Sequence, residues 1–172
     1  AKLLNASVTL QFCEDHATKE ALHKLGFNAV VLPLPLDFSE EKPVPLPEKF
    51  KVLVDVDAGY KVVFDSVKRA MPDVEFKEFV GSVSTDEVSV LVRFQNDRCI
   101  DLVTKKMLMS GRRVISNIQS PFWGYVDGEI VSIEVARAEL ISAIRAIQDE
   151  KELNLDAMAY YQNLCSPDRF KA

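Results

Sequence analysis

Glycine is scarce in this chain. Its six glycines, at positions 26, 59, 81, 111, 124 and 128 of 172 residues, form neither a GxGxxG turn nor a P-loop, so both familiar phosphate-cradling loops are missing. Histidine is scarcer still. His16 and His23 are too few for a zinc site of the usual kind, and with no GxSxG elbow a hydrolase triad is not expected. Cys13, Cys99 and Cys165 are far apart, odd in number and in no CxxC spacing, which reads as a reduced, cytoplasmic chain. No apolar run is long enough to cross a bilayer, and no secretory signal is visible. With 21 basic against 26 acidic residues the net charge is −5, so no broad basic surface for nucleic acid is indicated. Neither a metal nor a cofactor is expected. The chain opens on Ala1 rather than Met, which reads as a processed chain or a piece of a longer one.

What is present is apolar periodicity. The 48% hydrophobic content is enough for one domain with a sizeable core. Its organising stretch is VSVLVRFQNDRCIDLVTKKMLMSGRRVISN, residues 88–117. Residues 88–94 alternate as a strand, and Gln95-Asn96-Asp97-Arg98 is a polar turn. Ile100, Val103 and Met107 then recur at helical spacing, with Leu102 and Met109 widening the stripe. Gly111 falls where a helix end wants a left-handed residue, and residues 112–118 read as the next strand. Strand, helix and strand within about thirty residues make a βαβ unit with parallel strands. Ligands of such sheets bind beyond the carboxyl ends of the strands, which puts Arg93, Asn96, Asp97 and Arg98 on the functional rim.

Residues 7–12 read as a strand, Asp15 as the cap of a helix running to Lys24, and residues 28–33 as a second strand. Prolines at 33, 35, 43, 45 and 47 remove backbone donors and fix φ, so that segment is expected to be an irregular, extended connector or a long surface loop. Residues 50–56 are nearly continuous in apolar side chains, as a strand covered on both faces should be. A helix over 59–71 should turn Val62, Val63, Val67 and Ala70 inward. Residues 74–80 read as a strand, 81–87 as a loop, and Asp127-Gly128 as a turn after the loop around Pro121, Phe122, Trp123 and Gly124. Ser132 can cap a helix with Ile133, Leu140, Ile144 and Ile147 on one face. A last helix over 155–164 carries Tyr160 and Tyr161, and a final turn starts at Ser166-Pro167-Asp168. Trp123 reads as part of an apolar loop tucked against the core more readily than as a partner surface. The alternation predicts an α/β fold, a Rossmann-like three-layer sandwich with a mostly parallel sheet.

Three polar groups carry candidate chemistry. Asp55 and Asp57, two apart at a strand end, can bind a cation or supply an aspartyl nucleophile. They resemble the Asp-x-Asp-Gly-Thr of haloacid-dehalogenase-type phosphatases, with Ala58-Gly59 in place of Gly-Thr; the simpler alternative is a helix-capping turn with Asp57 on the helix dipole. Arg93 with Asn96, Asp97 and Arg98 can grip a phosphate through the planar guanidinium fork and helix-start amides; Asn96 or Asp97 would in any case cap the helix. Lys105 and Lys106 are expected on the polar side of that helix, solvated unless it borders a cleft.

The run KMLMSGRRVISN, residues 106–117, resembles the donor-domain motif of retaining glycosyltransferases with two Rossmann-like halves (group 1 type), roughly Glu-Ala-Met-Ala-x-Gly-x-Pro-Val-Ile. Residues 1–36 look like the strand, helix and strand that end the acceptor half, 37–49 like the connector, and 50–172 like the donor-nucleotide domain with its closing helices, including AMAYYQNLCSPDRF at 157–170. The resemblance implies that Lys61, Arg93, Asp97, Arg98, Lys106 and Gly111 contact a nucleotide-diphosphate sugar. Glycosyl transfer would need an acceptor domain or partner subunit, and peripheral membrane association through the absent half is compatible with it. Lys106 stands where the family has a ribose-binding Glu; an ammonium donates to a hydroxyl but cannot accept from one. Arg113 replaces the Pro. The alternatives are a catalytically inactive Rossmann-like binding or assembly module, and a phosphatase using Asp55 and Asp57.

Overall fold

The computed structural model describes residues 11–13, 16–31, 42–81, 84–96, 100–127 and 132–166. A small parallel unit comes first, β1 (Gln11–Cys13), α1 (His16–Lys24) and β2 (Ala29–Val31). A five-stranded sheet follows, built from β3 (Lys51–Val56), β4 (Glu75–Glu78), β5 (Val90–Phe94), β6 (Arg113–Ser116) and β7 (Gly124–Tyr125). Its order is β4-β3-β5-β6-β7 and every pairing is parallel. The helices are α2 (Lys61–Ala70), α3 (Leu102–Met109), α4 (Ile133–Glu150) and α5 (Leu155–Cys165). Counted within the sheet, the order is 2-1-3-4-5, one of the two common doubly wound arrangements.

Strand parity sorts the core into two layers. Val52, Val54, Val90, Val92, Phe94 and Ile115 face Val63, Phe64 and Val67 on α2 and Ala136, Leu140 and Ile144 on α4. Leu53, Leu91 and Val114 face the other way, onto Met107, Leu108 and Met109 on α3 and Ala157 and Tyr161 on α5. The fold is therefore a Rossmann-like three-layer α/β sandwich. Burial on both faces is why β3 and β5 read as unbroken apolar runs; each fully buried Leu or Phe contributes roughly 2 kcal/mol. Among the described residues no helix is long and apolar enough to cross a membrane.

Several finer expectations are corrected. Val62 is 60% exposed and Ala70 is exposed, because α2 begins at Lys61 after a 3-10 turn at Ala58–Tyr60. That phase buries Val63, Phe64 and Val67, with Met71 one turn on. Leu102 and Ile133 open their helices beyond the sheet edge and are exposed, while Ile100 precedes α3 altogether. Lys105 is buried rather than solvated, since α3 is covered on more than its sheet face: Thr104, Lys105, Met107, Leu108 and Met109 are all buried. Gly124, expected in a loop, instead pairs together with Tyr125 against Ile115 and Ser116 as a short strand. Asp15, most of the first strand, residues 32–41, Gly128, Pro167 and Asp168 lie outside the described residues.

The proline-rich segment is irregular over 42–50, as its composition predicts. It is fastened by Arg112, which is fully buried. Arg112 donates from Nε to the Thr85 carbonyl at 2.7 Å, from Nη1 to the Val44 carbonyl at 2.7 Å and from Nη2 to the Pro45 carbonyl at 2.9 Å. One guanidinium thus satisfies carbonyls on two segments that have no strand partner there. At the neighbouring position Gly111 has φ +79°, the left-handed exit of α3, and its carbonyl accepts from the Asn154 N–H at 2.8 Å. Asn154 also caps α5 at Ala157 and donates to the Phe122 carbonyl at 2.7 Å.

Two substitutions test these joints. Arg112→Met should lower the unfolding free energy by about 3 kcal/mol in urea denaturation, with little recovery in Arg112→Lys, whose single ammonium cannot span three carbonyls. Gly111→Ala should cost about 1–2 kcal/mol by the same measurement, because a side chain there meets a left-handed φ and the Leu153 side chain 3.4 Å away.

Candidate functional site

One row short of the Val56–Phe94 pair that ends β3 and β5, a register row crosses four strands and is polar on three of them. Asp55 pairs with Arg93, Arg93 with Ser116, and Ser116 with Tyr125. All strands being parallel, this row lies at their carboxyl edge, where the chain leaves β3 for α2 and β5 for α3. The strand order reverses between β3 and β5, so this edge holds the crevice in which doubly wound sheets take ligands. The two turns touch. The Asp57 N–H donates to the Phe94 carbonyl at 2.9 Å, and the Asn96 N–H donates to Asp57 Oδ2 at 2.7 Å. Asp57 therefore does not cap the following turn with its side chain; it ties β3 to β5 instead.

Arg93 is the centre of the arrangement. Its side chain is only 6% exposed, and its Nε lies 3.2 Å from both Asp55 Oδ2 and Asp101 Oδ2. Gln95 Nε2 donates to the other Asp55 oxygen at 3.0 Å. Asp101 serves twice, since Oδ1 accepts from the Thr104 N–H at 2.8 Å and caps α3. The cap expected at Asn96 or Asp97 is thus at Asp101, because α3 starts several residues past the turn. Burial pushes the Asp55 carboxyl above its ordinary value of 3.8; Arg93 pulls it down by less, and the Asp101 and Asp57 carboxylates add to the rise. On the far side of the turn, Asn117 holds Gln95 by both backbone groups, accepting from its N–H at 3.3 Å and donating to its carbonyl at 2.9 Å.

Lys61 is exposed at the first position of α2. It borders a small cleft of about 110 Å³ with Asp55, Asp65, Lys68, Glu78 and Phe79. That is less than the roughly 300 Å³ at which pockets for drug-sized ligands begin. Lys68 is hydrogen-bonded to Glu78 at 2.8 Å and with Lys61 holds that carboxyl below its ordinary value. Asp55 connects the two regions, lining the cleft while paired to Arg93. Asp97 and Arg98 lie outside the described residues. Lys106 is exposed in the second turn of α3. Gly111 ends α3 where the chain enters β6, at the opposite edge from the rim.

The residues that complete the site, Asp101, Gln95 and Asn117, did not stand out in the sequence. A cap signal for Asp101 exists, an Asp immediately before the apolar LVT run. Gln95 and Asn117 carry no such signal, as their roles depend on strands 22 residues apart meeting. Trp123 is tucked in, donating to the Ile118 carbonyl at 2.6 Å and stacked on Tyr161. Among the described residues no group of three His, Cys, Asp or Glu could hold a metal ion. No family model matches the chain, and no curated protein matches it.

The pH dependence of stability reports Asp55. With a folded pKa above its unfolded value, Asp55 contributes stability that is full below the unfolded value and lost as pH rises through the folded one. Compared with Asp55→Asn, the wild-type chain should therefore gain relative stability in thermal unfolding as pH falls through the raised folded value of Asp55 towards its ordinary one.

Proposed function

We propose that this chain is the nucleotide-sugar-binding half of a glycosyltransferase, passing a glycosyl group from a nucleotide-diphosphate sugar once an acceptor domain or partner subunit completes the site. The observation that carries this reading is that the turns following β3 and β5, with Lys61 and Arg93, open on the same edge of an all-parallel sheet, at the point where strand order reverses. Cations at such an edge can offset a diphosphate and the leaving-group charge that grows as the glycosidic bond breaks. The likeness of residues 106–117 to the donor-domain motif adds to it, with Lys106 exposed on α3; Gly111, at the opposite edge, shapes the helix exit and does not border the rim. Asp97 and Arg98 are assigned from the sequence pattern of the turn after β5 and from that likeness.

The second reading, a catalytically inactive binding or assembly module, draws on the enclosure of Arg93 by two carboxylates. The phosphatase reading needs an Asp55 carboxylate free to attack, whereas both its oxygens accept hydrogen bonds from Arg93 and Gln95.

Titration calorimetry with a panel of sugar nucleotides separates the readings. At least one should bind with Kd below about 1 mM. Lys61→Ala, at an exposed site, should weaken it about three- to tenfold without moving Tm, and Arg93→Ala more than tenfold. The absence of binding across the panel, with the chain folded, sinks the proposal.

A further inference from the structure

Arg93 does not face the rim as an open cation. Its Nε is 3.2 Å from Asp55 Oδ2, its register partner on β3, and 3.2 Å from Asp101 Oδ2 at the head of α3. The two carboxylates are unequal. Asp55 is 19% exposed and is also held by Gln95. Asp101 is 30% exposed, lies outside the sheet and also caps α3 by accepting from the Thr104 N–H. A carboxylate that meets both a guanidinium and a helix-start amide occupies the position that a phosphate oxygen takes at the head of a helix.

Resting on the reading of the crevice as an anion site, we propose that Asp101 is an internal occupant of the phosphate position, a carboxylate that a ligand's phosphate must displace from Arg93. Asp101 then acts as a positioning and selectivity residue. It keeps Arg93 neutralised and buried while the crevice is empty, and it opposes any anion that cannot meet Arg93 and the α3 amides together. A diphosphate can do so with several oxygens; a lone carboxylate or chloride gains nothing over Asp101 itself.

Asp101→Asn provides the test, because asparagine caps helices as well as aspartate does while removing the charge that competes for Arg93. Inorganic pyrophosphate and a panel of nucleoside diphosphates are titrated into the wild-type chain, Asp101→Asn and Asp101→Ser, the last a second competent cap. Both variants should stay folded with a lowered Tm, since Arg93 loses one of its two carboxylates, and should bind diphosphate about tenfold more tightly, with the gain abolished by adding Arg93→Ala. Wild-type binding with no tightening in either variant overturns the role of Asp101 and leaves the nucleotide-sugar reading standing. No diphosphate binding in any of the folded chains overturns both.

Discussion

Arg93 lies within a strand whose five residues are all buried, and the upper edge of the domain is assembled around its charge. Taking a guanidinium out of water costs several kcal/mol unless carboxylates and hydrogen bonds compensate it. Asp55 compensates from the adjacent strand and Asp101 from the head of α3. Each partner then fixes something further. Asp55 draws in Gln95 and so shapes the β5 turn, and Asp101 sets the first residue of α3. Between the two, Asp57 and Asn117 lock the turn to β3 and β6. Burial lifts the Asp55 carboxyl despite the arginine beside it, which marks the contact as one whose desolvation is only partly repaid.

Much of this architecture is legible in the sequence, and what is hidden has a common cause. KVLVDV and VLVRF announce strands covered on both faces, and Gly111 announces a helix exit, because those signals are local. Phase is less secure. Val62 and Phe64 compete for the inward face of α2, and the winner is decided by a 3-10 turn at Ala58–Tyr60 that sets where the helix starts. Lys105 looks like a surface residue until α5 is known to pack near α3. The aspartates at 55 and 57 and the arginine at 93 can be placed at strand ends by pattern alone. That Asp55 pairs with Arg93 depends on a register joining residues 38 apart.

The opposite edge of the sheet is held by different means. Arg112 collects three carbonyls from the proline-rich segment and the loop before β5, and Asn154 ties the exits of α3 and the Phe122 loop to the start of α5. Phe122, Tyr160, Tyr161 and Trp123 then close the layer by aromatic contact. The proline-rich segment cannot join a ladder, having given up donors at 43, 45 and 47, so its carbonyls need an outside partner. A buried arginine with five donors is suited to that task, while the next residue, Arg113, sends its guanidinium to Glu150 at the end of α4.

Charge at the ligand edge is the final constraint. Among the described residues, Asp55, Asp57 and Asp101 stand near Arg93 and Lys61, and Asp65 and Glu78 accompany Lys68 in the adjoining cleft, so acids outnumber bases along this edge. The α3 amides add partial positive charge, and the rise of Asp55 reduces the excess as pH falls. If Asp101 is the internal occupant proposed above, an anion entering this edge exchanges with a carboxylate already there, and its affinity is reduced by the cost of that exchange. The same exchange sharpens discrimination, because a ligand gains only by how much better than Asp101 it meets Arg93 and the helix head. A multidentate phosphate has that advantage, whereas a small monoanion merely repeats the contact it replaces.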